Sequence, residues 1–519
     1  MGGRDRRDLL VRRRHGSGDR EGARGEGGVR PMAAKDIKRG LFGMKRLEVM
    51  DQVGAEAIHV NSLYLLEHMG IKVTSDQGRQ LLKDAGADVD ENTKVCKIPS
   101  YLVEEMMRKC KRPVRIASRD SKKDFVLDGR HCYTCTDGVG LQTIDLETGE
   151  RRPSTKKDVG ESAKVVDYLP MMHMYNPLVT PLDVPEHAHT VHEFQVSMEN
   201  CSKHYTTGST YKREEAIYQL KMAAAIVGGE KELKRRPIIS NLTCTTSPLV
   251  LGMTTDAAIE FSKRGCPPLL MAMPLVGGTA PMTVAGATLL GNAQVIALAT
   301  VLQLAAPGSP LCYSSEPMAM DVQTGLMEGL FPAANMVRAA HVQMSRYYKI
   351  PIFIGGWGSC SKAPDVQAGY EKAFSAFIAY LSGADMTSGP GLLENWMTLS
   401  YEQLIIDHEM FTMMADMLKG VAVNDDTLAL DTIMAVGQEG HFMGKKHTID
   451  HARDMWQPMV TDGQPYKVWK AAGGKNAADH AREKAKDILK THEVEPLDED
   501  IRKELASIVK EAEKNIPAK

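Results

Sequence analysis

Residues 268–315 read PLLMAMPLVGGTAPMTVAGATLLGNAQVIALATVLQLAAPGSPLCYSS. Its two ends, PLLMAM (268–273) and PLCYSS (310–315), are short apolar runs opened by proline, and 283–305 between them is a long helical segment. Proline is tolerated at the first residue of a strand, where the missing N–H costs least. A strand, a long helix and a second strand in that order form the crossover unit of a parallel sheet.

The unit recurs. Strands are expected at HCYTCT (131–136), MMHMYN (171–176), KHYTTG (203–208), PIISNLT (237–243), PLLMAM, PLCYSS, PIFIG (351–355) and ADMTS (384–388). The helices expected to follow them are 158–168, 186–200, 212–228, 250–264, 283–305, 321–348, 365–382 and 399–419. Pro237 and Pro351 open strands as Pro268 and Pro310 do. Eight strand–helix units predict an α/β fold of the (β/α)8 barrel type, a TIM barrel. A doubly wound open sheet would place a glycine fingerprint after its first strand and an acid about 20 residues on. TCTDGVG (134–140) lacks that spacing.

Around the barrel, IHVNSLYLLEHMG (58–70) and PSYLVEEMMRKC (99–110) space their apolar residues for one buried helical face. The segments 443–456 and 476–515 are amphipathic and read as a helical surface wrap. The expected organisation is a disordered extension over 1–35, an N-terminal helical region over 36–125, the barrel over 126–420 and a C-terminal helical extension over 421–519. Residues 1–30 are rich in arginine and glycine and lack the apolar core of a secretory signal; an upstream start before Met32 would explain them equally well.

The composition, 43% hydrophobic and 25% charged with a net charge of -2, is that of a globular protein with a sizeable core. No basic stripe suggests nucleic acid. No apolar run reaches the ~20 residues of a membrane helix; VIALATVLQLAA (295–306) contains a glutamine. Nine scattered cysteines suggest reduced thiols and a cytoplasmic protein rather than a disulfide framework.

A barrel of this type gathers its chemistry in the loops after the strands. Those loops supply Asp137 and Gly138, Asn176, Gly208, Thr245 to Ser247, PLVGGTAP (274–281), Ser314 to Pro317, GGWGS (355–359) and GPGLLENW (389–396). Clustered acids and histidines are few. Trp357 and Trp396 fall in neighbouring loops with Tyr313 close by, and such rings could wall a cation or simply pack the loops. Glu316 could neutralise that cation or cap the sixth helix.

Metal ligation finds little support in the sequence. Cys132 and Cys135 lie three apart in a strand, on opposite faces. His189, His192 and Glu193 share one helical face and His447 and His451 another, without the glutamate of a zinc-protease motif. Ordinary histidines are expected at both places, and no metal site is predicted. A Walker loop and a Gly-x-Ser-x-Gly elbow are both missing.

The runs LTCTTSPLVL (242–251), MPLVGGTAPMTVAGATLLGNAQVIA (273–297), QLAAPGSPLCYSS (303–315), RYYKIPIFIGGWGSCSKAPDVQAGYEK (346–372) and FMGKKHTIDHARDMWQP (442–458) together resemble the trimethylamine methyltransferase family. The resemblance covers nearly all of 36–515. It implies a (β/α)8 barrel that transfers a methyl group from an amine to the cobalt of a corrinoid (cobalamin) held by a separate cognate protein. It also implies no permanently bound cofactor, and a homo-oligomer.

The founding branch carries pyrrolysine in the loop after strand seven, at the position matching Gly358 here. With glycine there, the chain looks like the non-pyrrolysine branch, whose members demethylate quaternary amines such as glycine betaine. A quaternary nitrogen departs as a neutral amine and needs no covalent helper. The resemblance thus suggests Gly358 and Glu316 at the reacting centre, and Trp357, Trp396, Tyr313, Tyr205, His204 and Lys362 around the substrate. Gly277, Gly278, Thr279, Ser314, Gly355, Gly356, Gly389 and Gly391 would face the corrinoid. Two alternatives remain open: a zinc-dependent corrinoid methyltransferase acting on a thiol or alcohol, and a betaine-binding protein without catalysis.

Overall fold

A computed structural model describes residues 44–518 apart from 111, 209 and 329–331; the extension expected over 1–35 lies outside the described residues. Eight parallel strands close a barrel: β1 (Tyr133–Cys135), β2 (Met174–Tyr175), β3 (His204–Thr207), β4 (Ile239–Cys244), β5 (Pro268–Ala272), β6 (Cys312–Ser315), β7 (Ile352–Gly355) and β8 (Met386–Ser388). Closure comes from β8 pairing with β1, Met386 opposite Tyr133 and Ser388 opposite Cys135. All eight fall on the expected segments.

The helices α1 (Lys156–Tyr168), α2 (His189–Asn200), α3 (Arg213–Val227), α4 (Thr254–Lys263), α5 (Val284–Ala305), α6 (Pro332–Tyr347), α7 (Val366–Leu381) and α8 (Tyr401–Leu418) follow their strands in order. Several starts are written locally. Thr283, Asp365 and Ser400 cap α5, α7 and α8 by accepting the N–H of Gly286, Ala368 and Gln403. Helix α5 is long and apolar enough to cross a membrane, yet 72% of its apolar window is buried inside the molecule.

Strand alternation divides the core in two. Tyr133, Cys135, Met174, Leu242, Leu269, Met271, Cys312, Phe353 and Met386 form one cluster; they come from seven strands around the circle, so they fill the barrel interior. An antiparallel hairpin, Val114–Ile116 with Phe125–Leu127, adds four side chains to that cluster and closes the N-terminal end. Arg112 pins the hairpin by donating to both oxygens of buried Asp385 at 3.0 and 2.8 Å.

Three expectations require correction. The region before the barrel is not simply helical: Gln52–His68, Asp76–Asp84 and Ser100–Lys109 are helices, but Ile71–Val73, Asp88–Asp90 and Val95–Lys97 form a sheet. That sheet is completed by Val250–Leu251 from the loop after β4, a long-range pairing that three-residue strands do not announce. Helix α6 starts at Pro332, not 321, because Met318–Met320 and Met327–Glu328 pair as a hairpin over Leu275–Val276. Its turn is organised by Asp321, whose carboxylate accepts from the Gln323 N–H and the Thr324 hydroxyl.

The third concerns the C-terminal wrap. Ala477–Thr491 packs on α8 and α1, and Glu499–Asn515 on α3 and α2, as expected. Residues 421–459 instead stand off the barrel, and none of them is buried.

Candidate functional site

The period-two alternation that fills the interior continues past the strand ends and decides which loop residues look into the mouth. Above Cys135 comes Asp137, above Met174 comes Asn176, above Cys312 come Ser314 and then Glu316, above Phe353 comes Gly355 and above Met386 comes Ser388. All six are buried. Four side-chain atoms in this layer and beside it have no partner: Asn176 Oδ1, Ser314 Oγ, Glu316 Oε2 and Trp396 Nε1. Buried polar atoms are nearly always satisfied, so a group of orphans at the end of a barrel marks a place shaped for something else.

Two carboxyls face this layer. Glu316 Oε1 accepts from Arg338 Nη2 of α6 at 2.8 Å, and its Oε2 occupies the space above Gly355, where a Cβ would lie 1.1 Å away. Gly355 stands in register with Ser388. Ser388 Oγ in turn donates to Asp137 Oδ2 at 3.0 Å. The acids therefore sit across an arc running from β6 through β7 and β8 to β1.

Burial pushes the Glu316 carboxyl up to about 7; Arg338 opposes that rise and Asp137 adds to it. Burial likewise takes Asp137 up to about 6, against the hydrogen bonds from Ser388 and Gly138. Arg338 is the counter-charge of Glu316, whereas no cation among the described residues pairs with Asp137, and a bound cation beside it would lower the cost of its ionisation.

The loops after β7 and β8 cover this arc and are stitched together. Asn395 N–H donates to Ser359 O at 2.7 Å and Glu394 N–H to Ser361 O at 2.8 Å. Glu394, Asn395 and Trp396 have φ of +52, +51 and +67°. Three consecutive left-handed residues that are not glycine are strained, and the surrounding bonds hold them so. They swing Trp396 back over Gly358, where a Cβ would meet ring atoms Cζ2 and Cη2 at 2.6 and 2.7 Å. Beneath, Lys372 of α7 donates to Trp357 O at 2.7 Å and to Asp407 of α8 at 2.9 Å, and Asp407 also accepts from Gly391 N–H at 2.8 Å. This fully buried pair fixes both loops at once.

The other expected site residues are spread more widely. Gly356 N–H donates to Ser388 O, and Gly389 N–H to Cys135 O, so both belong to the arc. Gly277, Gly278 and Thr279 form a rim turn, with Gly278 and Thr279 exposed. Lys362 is also exposed and donates to Cys360 O.

Four assignments to the substrate are corrected. Trp357 clusters with Cys132, Met171, Tyr380 and Phe411 between barrel wall and helices, and donates from Nε1 to Thr387 on the outer face of β8. Tyr313 points outward to Asn292 of α5, and Tyr205 stacks edge-on with Phe194 of α2. His204 lies at the closed end, bonded to Ala117 O and Ser240, and burial lowers it to about 4. One role proposed by sequence also changes: Glu316 pairs with Arg338 instead of capping α6. Sequence placed Asp137 in the mouth loops without a role, and Arg338 and Ser388 were not among the expected site residues; inward alternation from β8 is the signal that would have found Ser388.

Of the metal candidates, His192 is engaged by Glu513 at 2.9 Å and by Lys156 at 3.1 Å. Cys132 and Cys135 lie on opposite faces, in the outer and inner clusters respectively.

The family model described as trimethylamine methyltransferase matches residues 13–517. The chain belongs to the trimethylamine methyltransferase family. Trimethylamine methyltransferase MttB of Desulfitobacterium hafniense is 35% identical over 88% of this chain and 92% of its own. The Methanosarcina barkeri protein of the same name is 33% identical over 88% and 94%. The glycine betaine methyltransferase of Desulfitobacterium hafniense is 26% identical over 91% and 98%. Among solved structures, the Methanosarcina barkeri monomethylamine methyltransferase (MtmB) superposes with a TM-score of 0.51 at 11% identity, over 88% of this chain and 92% of that one; at that identity the likeness concerns the fold alone. This methyltransferase is an α/β barrel with added helices. The chain is more identical to these relatives named for trimethylamine than to the one named for glycine betaine.

Proposed function

We propose that this methyltransferase takes a methyl group from a quaternary amine of the betaine type and delivers it to the cobalt(I) of a corrinoid carried by a separate cognate protein. The observation that carries the reading is the mouth: buried Asp137 without a paired cation, buried Glu316 held by Arg338 with its Oε2 unpartnered, the indole of Trp396, and at 358 a glycine whose side-chain direction is closed by that indole. A fixed cation fits this setting. The cation–π contact contributes roughly 0.5–2 kcal/mol once desolvated, and the acids attract the cation without donating to it.

When bound, the partner's cobalt(I) supplies the electron pair that takes the methyl carbon, while the C–N pair stays on nitrogen and a neutral tertiary amine leaves. This chain's residues bind and aim. Asp137 and Glu316 hold the ammonium head, Arg338 holds Glu316 upright, and the Lys372–Asp407 pair keeps the covering loops in place. Positioning is the main catalytic contribution, since positive charge leaves nitrogen during the reaction and ground-state attraction alone does not lower the barrier.

The rim supports a protein-borne acceptor. Val139 and Leu141 after β1, Leu182 after β2, Met253 after β4, Met282 after β5, and Val322 and Leu326 after β6 are all exposed. Large apolar side chains repeated around one end of a barrel suit a docking partner. A second stripe, Val366, Tyr370 and Phe374 along α7, is exposed too and supports the homo-oligomer. We place the protein in the cytoplasm, where its nine scattered cysteines would stay reduced.

The test is to mix the protein with its reduced corrinoid partner and a panel of betaines, choline, carnitine and trimethylamine, and to follow the methyl-cobalt spectrum. A response to at least one quaternary amine is expected. Turnover of trimethylamine with none of any quaternary amine would overturn the reading.

A further inference from the structure

Residues 421–459 form an excursion without a hydrophobic core. It is held at its root by Glu409, which accepts the N–H groups of Val460 and Thr461 at 2.6 and 3.1 Å, and by Trp456 Nε1 donating to Thr412 at 2.9 Å. Between those anchors and α8 no buried apolar side chain joins its two sides. A chain segment that cannot bury a core needs another staple.

The two sides do meet at one point. Asp426, in the short helix Asp425–Leu428, faces His447 and His451 of the helix Lys446–His451, and one donor atom from each lies within 4.8 Å of the others. Spacing of i and i+4 puts both histidines on one face, with ring centroids 4.3 Å apart. His451 Nε2 lies 3.3 Å from Asp426 Oδ2, while its Nδ1 bonds to Asp454 Oδ2 at 2.9 Å. A carboxylate on the far ring nitrogen is the arrangement that orients a metal-binding imidazole and sets its tautomer.

The geometry points to a structural divalent-metal site of the zinc class formed by Asp426, His447 and His451, with Asp454 orienting His451. Two imidazoles and a carboxylate suit zinc, whose bonds of about 2.0–2.2 Å would draw these donors inward and replace the contact of His447 Nε2 with Asp426 O at 3.0 Å. Water completes the shell. The ion would join residues 425–428 to 446–451 and thereby order the excursion. It is separate from the barrel mouth, so zinc in this protein would be no argument for zinc chemistry on the substrate.

The experiment uses the full chain, stripped with chelator and dialysed against micromolar zinc, with retained metal measured by elemental analysis. One zinc per chain is expected in the wild type. His451→Ala and Asp426→Asn should each lose that zinc, and in the absence of metal should unfold at the temperature of the metal-free wild type, because neither residue is buried. As a second readout, zinc should slow tryptic cleavage at Lys445, Lys446 and Arg453 in the wild type and not in either variant. A wild type that retains no zinc, or variants that retain as much as the wild type, would overturn the site.

Discussion

At position 355 the chain has no side chain because the space above the backbone belongs to the Glu316 carboxylate. This single relation gathers the mouth: Gly355 admits Glu316, Arg338 steadies it, and Ser388 beside Gly355 holds Asp137. Glu316→Gln should raise KM for a quaternary amine about tenfold or more, since a unit charge about 4 Å away is worth several kcal/mol in such surroundings. Steady-state kinetics checks it; an unchanged KM removes Glu316 from the substrate. The tryptophans should separate. Trp357→Ala empties a packed site and should cost roughly 3–5 kcal/mol of stability. Trp396→Ala should cost stability too, since its ring is buried in a core cluster, but should also raise KM, its ring being the one against Gly358. Denaturation and kinetics on the two variants decide between them, and equal effects on KM would return Trp357 to the mouth.

At the scale of elements, the join between α7 and α8 controls the mouth without touching substrate. Lys372 and Asp407 are both fully buried and both bonded to loop backbone. Lys372→Met should destabilise the protein by roughly 3–5 kcal/mol, because it strands a buried carboxylate. Lys372→Met with Asp407→Leu should recover part of that loss in denaturant unfolding, though the loops over Trp396 would loosen and kcat would stay low. No recovery in the double variant would mean that the backbone bonds, and not the unpaired charge, dominate. This pair also shows where sequence reading stops. The eight strands and their helices were legible because proline starts and apolar runs are local signals. Which face of a strand looks inward was legible only by alternation from the strand centre, and aromatic character outweighed it: Tyr313 was favoured over its inward neighbour Ser314. The sheet joining Ile71–Val73 to Val250–Leu251 and the Lys372–Asp407 pair depend on contacts between distant segments, and neither residue pattern carries a local mark of them.

For the whole molecule, the two mouth acids tie stability, pH and ligand together. Folding raises Asp137 from its ordinary 3.8 to about 6 and Glu316 from 4.5 to about 7. Between those limits the folded chain binds more protons than the unfolded one, so these groups make stability fall as pH rises, by at most about 1.4 kcal/mol per pH unit for each group. The loss is complete once the pH exceeds the folded values. On the proposed function, a bound quaternary ammonium would reverse the sign by favouring the ionised acids, releasing their protons and stabilising only the folded state. The rise in Tm produced by saturating glycine betaine should therefore be larger at pH 8 than at pH 5.5. Glu316→Gln serves as the control, since Glu193 in α2 is also raised by burial and contributes its own pH dependence to the unliganded protein. In that variant the difference between the two pH values should shrink, leaving the part due to Asp137. Thermal melts at both pH values, with and without ligand, test the linkage. An equal or larger ligand-induced shift at pH 5.5 would show that the cation is held without the carboxylates, and would leave the mouth's acids with a purely structural role.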